Sequence, residues 1–200
     1  MSDRVCIQSQ GKVQSLVSDT DILSCCGDFC GDGCNGGYID KAWKYVKRSG
    51  SCTGGAYQQK NVCKPYSFHP CGSHPNQTYY GECKGEEETP VCRKICQLHY
   101  PKKYEDDKIY VLDSYDVMGK EEAIQKEIMK NGPVQAGFTV YYDFMFYQGG
   151  IYKHSWGPEA GGHAIKIIGW GVENGTKYWT IANSWNTDWG ENGAYLFQNV

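Results

Sequence analysis

Two hundred residues suffice for one large domain or two small lobes that share a core. With 40% hydrophobic residues and a formal charge of only −3, the chain is too apolar to be disordered, and it lacks the basic footprint that nucleic acid or an anionic membrane would require. No apolar run approaches the length of a bilayer span.

In chain order, Met1-Ser2-Asp3-Arg4-Val5-Cys6-Ile7 carries no charged n-region, no apolar h-region and no cleavage site of a secretory signal. Ser18-Asp19-Thr20 is suited to cap a helical turn that carries Ile22 and Leu23 into Cys25. A second helix is predicted from about Tyr38 to Ser49, because Ile39, Ala42, Trp43 and Val46 recur at helical spacing and Gly50 stops it. From Ser51 to about Pro90 periodicity is nearly absent, and Gly, Pro, Asn and Tyr dominate. A loop of that length inside a compact domain is usually functional, and cysteines are expected to stand in for a core there. Lys120 to Asn131 reads as an amphipathic helix, with Ile124 and Ile128 one turn apart, Glu122 facing Lys126, and Asn131-Gly132-Pro133 as its stop. Strand-like runs follow at Val134–Val140, His163–Gly169, Tyr178–Asn183 and Ala194–Gln198, and Asn174-Gly175 marks a hairpin turn between two of them. The expected fold class is α+β: a helical, disulfide-rich lobe over 1–108 and an antiparallel β lobe over 109–200, with no internal repeats.

Eleven cysteines are the strongest compositional signal, and eight fall between Cys25 and Cys83. Such density points to an oxidising compartment, where disulfides persist. Zinc is the competing reading for Cys26-x3-Cys30-x3-Cys34 and Cys92-x3-Cys96, but C-x2-C pairs and a His-bearing second ligand set are missing, so no metal is assigned. The triplets at Asn76 and Asn174 are N-glycosylation acceptors, which agrees with a secretory route. An odd count leaves at least one thiol without a partner inside the chain. Together with the missing signal, this gives the expectation of a fragment of a longer secreted or lysosomal protein.

Chemistry concentrates in two segments. Gly161-Gly162-His163-Ala164-Ile165 opens a strand, and Tyr178 to Gly190 contains Ala182-Asn183-Ser184-Trp185 and Asp188-Trp189-Gly190. A histidine at a strand start is ordinarily a hydrogen-bonded structural residue. An asparagine on the neighbouring strand changes that, because it can orient the ring through one nitrogen and leave the other to take a proton from a thiol. Trp185 and Trp189 are placed to cover that bond or simply to fill the core, and both readings fit the pattern.

These segments carry a resemblance that spans essentially the whole chain. Gly-Gly-His-Ala-Ile followed by Asn-Ser-Trp-x3-Trp-Gly resembles a papain-like cysteine peptidase. The run from Cys25 to Gly37, Cys63-Lys64-Pro65-Tyr66, and the insertion at about 67–87, placed like an occluding loop, resemble the cathepsin B type. The resemblance implies a papain-like two-lobe fold with the β lobe barrel-like. It makes His163 the catalytic base and Asn183 its orienter, with Gly36, Gly37, His74 and Trp185 as substrate-binding residues. It also implies disulfides Cys25–Cys92, Cys26–Cys30, Cys63–Cys96 and Cys71–Cys83, pairs Cys6 and Cys34 with cysteines outside this chain, and leaves Cys52 unassigned. Implied partners are protein or peptide substrates and cystatin-type inhibitors, with no cofactor, in a monomer. A narrower likeness of the Tyr178–Glu191 stretch is to gut enzymes of blood-feeding worms, which would place the protein in a gut lumen.

The departures are as specific. In the family the nucleophile sits in a Gln…Cys-Gly-Ser-Cys-Trp segment at the start of a long helix, whose end resembles Ser2–Ile7. The expectation is therefore a domain incomplete at both ends, inactive as it stands for want of that cysteine. Where the family's occluding loop has adjacent histidines, this chain has Ser73-His74, and one cation is a weaker carboxylate site. Endopeptidase activity is therefore favoured over dipeptide release. The alternative is a catalytically dead secreted homologue that only holds peptides.

Overall fold

A computed structural model describes residues 1–199, which divide into two compact units, the first Met1–Asp116 and the second from Val117 onward. The first unit holds three short helices, α1 (Ser2–Gln8), α2 (Asp19–Cys25) and α3 (Ile39–Ser49), and a two-residue antiparallel ladder between β1 (Leu16–Val17) and β2 (Thr53–Gly54). Ser18 caps α2, its hydroxyl accepting from the Asp21 N–H at 3.1 Å. In α3 the inward face ends on Tyr45 and Val46, and Gly50 closes the helix at φ 69°, where an L side chain is strained. Residues 109–116, which the change of composition near Lys108 places in the second half, lie with the first unit instead. Ile109 exchanges hydrogen bonds with Ser51, Val111 packs against the Tyr45–Val46 cluster, and Asp113 accepts from Lys47.

Four disulfides hold this unit: Cys25–Cys92, Cys26–Cys30, Cys63–Cys96 and Cys71–Cys83. They are not its whole interior, however. Two buried carboxylates organise the rest, a feature the sequence pattern does not announce. Asp21, fully buried, pairs with Lys64 Nζ at 2.6 Å and accepts from the Tyr104 hydroxyl and the Cys52 N–H. Asp107 accepts from the N–H and hydroxyl of Thr53 and from the Tyr100 hydroxyl. Each buried charge is thus met by several donors, the condition under which a buried charge is tolerated.

The second unit is one helix, α4 (Glu121–Asn131), and a five-stranded sheet in the order β3-β5-β6-β7-β4. Its strands are β3 (Val134–Tyr141), β4 (Ile151–Tyr152), β5 (Glu159–Glu173), β6 (Thr176–Ala182) and β7 (Ala194–Gln198). All pairings are antiparallel except β4 with β7. Ile124 and Ile128 of α4 pack on a core that includes Val134, Val140, Ile165, Ile167, Trp179, Ile181 and Tyr195. The β5–β6 hairpin turns on Asn174 (φ 49°) and Gly175 (φ 79°), the two left-handed residues that suit the twist of the flanking strands. β5 is longer than the predicted 163–169, because its first residues pair with β3, Val140 opposite Gly161 and Tyr141 opposite Glu159.

Candidate active site

Alternation along the strands places the chemistry. On β5, Ile167 and Ile165 face the core, and His163 is the next residue on that face. On β6, Trp179 and Ile181 do the same, and Asn183 follows one residue past the strand end. Each apolar stripe therefore ends in a polar residue where the core opens, and the two ends meet: His163 Nε2 and Asn183 Oδ1 are 2.9 Å apart. Asn183 is itself positioned, its Oδ1 accepting from the Ser184 N–H and its own N–H donating to Gly193. Among the described residues, its buried Nδ2 has no hydrogen-bond partner, nor do Trp189 Nε1 and the Tyr195 hydroxyl.

An aromatic wall backs the pair. The Trp185 ring lies 5.2 Å from the imidazole and Phe138 lies edge-on at 5.9 Å. Trp185 leans on Trp189 and on Phe144, and Phe144 is fully buried. Phe144 and Asp143 belong to the 3-10 turn Tyr142–Phe146, and neither stands out in the sequence beyond membership of an aromatic run. Asp143 gathers the loop that leads into β5, accepting from the Tyr152 hydroxyl, His154 Nδ1, the Ser155 N–H and hydroxyl, and the Trp156 N–H. Burial works to raise its pKa, but these donors hold the carboxyl well below the usual carboxylate range.

With Nε2 committed to Asn183, the imidazole presents Nδ1 as its remaining site for proton exchange. A ring fixed through one nitrogen, walled by indole and phenyl groups, is equipped to act as a general base toward a thiol.

The remaining predicted site residues, apart from Asn174 in the β5–β6 turn, lie in the first unit. Gly36 (φ 125°) and Gly37 are exposed, in the turn after the short helix Gly33–Asn35, where a side chain on Gly31 would run into Gly37 and one on Gly37 into the Cys30 carbonyl. His74 lies in the Cys71–Cys83 loop with Nε2 2.9 Å from the Cys71 carbonyl. Asn76 and Asn174 are exposed. Cys6, Cys34 and Cys52 are unpaired. Burial, and next the charge of Asp21, push the Cys52 thiol up to about 12. Of the predicted set, His163, Asn183 and Trp185 are brought together within one unit.

Comparison with known proteins bears on this geometry. The family model described as papain family cysteine protease matches residues 1–199. Cathepsin B-like cysteine proteinase 1 of Ostertagia ostertagi is 53% identical over 195 residues, 98% of this chain and 57% of that protein. Cathepsin B-like cysteine proteinase 2 of Haemonchus contortus gives the same identity and coverage. The chain thus spans a little over half the length of the curated relatives it matches. Among solved structures, procathepsin B S9 from Trypanosoma congolense superposes with TM-score 0.79 at 36% identity, covering all of this chain and 60% of that one. A digestive procathepsin L 3 of Tenebrio molitor, 21% identical with TM-score 0.69, shares the fold.

Proposed function

The chain belongs to the papain family of cysteine proteases, and from that premise we propose that His163 and Asn183 are the base and its orienter in a peptidase of the cathepsin B type. The observation that carries this reading is the 2.9 Å contact of His163 Nε2 with Asn183 Oδ1 under Trp185. In the reaction so assigned, His163 takes the proton of a cysteine thiol, the sulfur attacks a peptide carbonyl, and His163 returns the proton to the leaving amine as the acyl-enzyme forms. Proteins and peptides are the substrates, and cystatin-type proteins the inhibitors, of a monomer working in a secretory, lysosomal or gut-lumen compartment. Gly36 and Gly37 supply exposed backbone for an extended peptide. With Ser73 beside His74, cleavage within chains is favoured over release of dipeptides.

The 200-residue polypeptide on its own is assigned no turnover. Its three free thiols are Cys6 in α1, the exposed Cys34 next to Thr89, and the buried Cys52, whose thiol burial pushes up to about 12, and the nucleophile is assigned to none of them. The test uses a fluorogenic dipeptide substrate and a thiol-directed epoxide. The polypeptide is expected to give neither turnover nor stoichiometric labelling. Extended at its N-terminus by a Gln…Cys-Gly-Ser-Cys-Trp helix, it is expected to gain turnover that His163→Ala removes. Turnover without the extension would overturn the inactivity. Turnover with the extension that survives His163→Ala would overturn the role of His163.

A further inference from the structure

The segment from Cys83 to Cys96 has no regular secondary structure and is mostly exposed, yet it is strapped down at three points. Cys96 bonds to Cys63, Cys92 bonds to Cys25 at the end of α2, and the Thr89 hydroxyl accepts from the Cys34 N–H in the turn that leads to Gly36 and Gly37. The surroundings of the middle anchor are lopsided. Lys64 Nζ lies 3.7 Å from Cys25 Sγ, and the Ser24 hydroxyl, which donates to the Thr20 carbonyl at 2.7 Å, lies 3.6 Å from the same sulfur. The ammonium is held there by Asp21 at 2.6 Å and by the Tyr104 ring at 4.6 Å. Cys92, in contrast, is exposed and flanked in sequence by Arg93 and Lys94. A cavity of about 490 Å³ lies among the neighbours of this bond, lined by Ser24, Lys64, Val91 and Arg93 and by both cysteines of Cys63–Cys96, but not by Cys25 or Cys92 themselves.

Thiol–disulfide exchange goes fastest where the attacked sulfur is accessible and the leaving sulfur is stabilised as a thiolate. Both conditions are met here on opposite sulfurs. We propose that Cys25–Cys92 is a thiol-modification site, opened by a small anionic thiol such as glutathione that attacks Cys92 and expels Cys25. The thiolate of the incoming molecule forms a bond to Cys92 Sγ while the Cys25–Cys92 bond breaks. The electron pair of that bond leaves on Cys25, as a thiolate beside the Lys64 ammonium. The product is a mixed disulfide on Cys92, with no net proton transfer. The carbonyl end of α2 opposes a negative charge on Cys25, but the contact with a buried ammonium outweighs the end of a seven-residue helix. Arg93 and Lys94 favour approach of an anionic thiol to Cys92. The competing Cys63–Cys96 bond lines the cavity itself, but its leaving sulfur would be the fully buried Cys63, packed with Cys52. Opening the middle anchor would free the strap that Thr89 lays against the Gly33–Gly37 turn. Modification at Cys92 would thus alter the presentation of Gly36 and Gly37. The inference stands whether or not the protein cleaves peptides.

The experiment blocks free thiols of the native chain with iodoacetamide, exposes it to glutathione, quenches with N-ethylmaleimide and maps the adducts by mass spectrometry. Glutathione is expected on Cys92 and the maleimide on Cys25, before either label reaches Cys63 or Cys96. Glutathione on Cys25, equal division between the two sulfurs, or prior opening of Cys63–Cys96 would each overturn the proposal. Lys64→Gln is expected to slow the opening by about tenfold, through loss of stabilisation of the leaving thiolate. The site of modification in the unaltered chain decides the matter if Lys64→Gln does not fold.

Discussion

His163 and Asn183 are joined by one 2.9 Å hydrogen bond between Nε2 and Oδ1, made where two core-facing stripes of adjacent strands run out. The consequence is a defined imidazole tautomer, with the proton on Nε2 in the neutral ring. In Asn183→Ala, nitrogen-detected NMR of His163 is expected to show loss of that preference. In a polypeptide that supplies the thiol, turnover is expected to fall, by no more than the roughly 10²–10⁴-fold that a general base contributes. Unchanged His163 resonances in Asn183→Ala would contradict the orienting role.

The Asp21–Lys64 pair is the second place where removing one atom group should be felt. Lys64→Met leaves a fully buried carboxylate whose remaining donors among the described residues are the Tyr104 hydroxyl and the Cys52 N–H. Breaking a buried pair from one side costs about 3–5 kcal/mol, whereas replacing both partners with apolar groups is far milder. Urea unfolding of Lys64→Met, Asp21→Leu and the double variant should therefore be strongly non-additive, with the double variant more stable than either single one. Additive losses would mean that the two charges act independently.

Acid should weaken the fold through Asp143. Its folded-state pKa lies below the ordinary carboxylate value, so its contribution to stability is fully present above the unfolded value of about 4 and is lost as pH falls further below it. Asp107 shifts in the same direction, because the Thr53 and Tyr100 donors overcome the opposing effect of burial. The urea midpoint is expected to drop between pH 6 and pH 3, and to drop less in Asp143→Asn. An equal drop in both proteins would remove Asp143 from the account.

Thiol reactivity should separate the free cysteines. With its thiol pushed up to about 12 by burial and the nearby Asp21, Cys52 should resist iodoacetamide at pH 8 while the exposed Cys34 reacts, and it should become labelled only in denaturant. Rapid labelling of Cys52 in the native chain would show that its surroundings open.

Local pattern carried much of this fold. The Ser18 cap, the spacing of Ile39, Ala42, Trp43 and Val46, the Asn131-Gly132-Pro133 stop and the Asn174-Gly175 turn are all short-range signals, and the elements they predict are present. What stayed hidden depends on partners far along the chain. Glu159 to Gly162 have little strand propensity and are extended because β3 pairs with them. Asp21 meets Lys64 across 43 residues, and Thr53 meets Asp107 across 54, so no window of sequence contains either network. The stretch from Ser51 to Pro90 accordingly reads as loop stapled by cysteines, although its beginning is threaded through the buried polar interior. The long aromatic run from Tyr141 to Tyr147 conceals both the carboxylate that gathers the loop before β5 and the phenyl ring that supports Trp185. The His163–Asn183 pair was legible because two short motifs and one hairpin turn suffice to bring them side by side.

That hairpin also contains an irregularity. Between Ile167 and Gly169 the β5–β6 register shifts, so that Ile168 is an extra residue on one strand. Upstream of it His163 shares a face with Ile165 and Ile167; without it the same residues, counted from the same turn, would point to the opposite face. Because the bulge absorbs Ile168, Ile167 still lies opposite Ile181 and the imidazole stays on the side of Asn183. The placement of His163 therefore rests on a count of residues as much as on their identity, and the bulge at Ile168 keeps that count in step with β6.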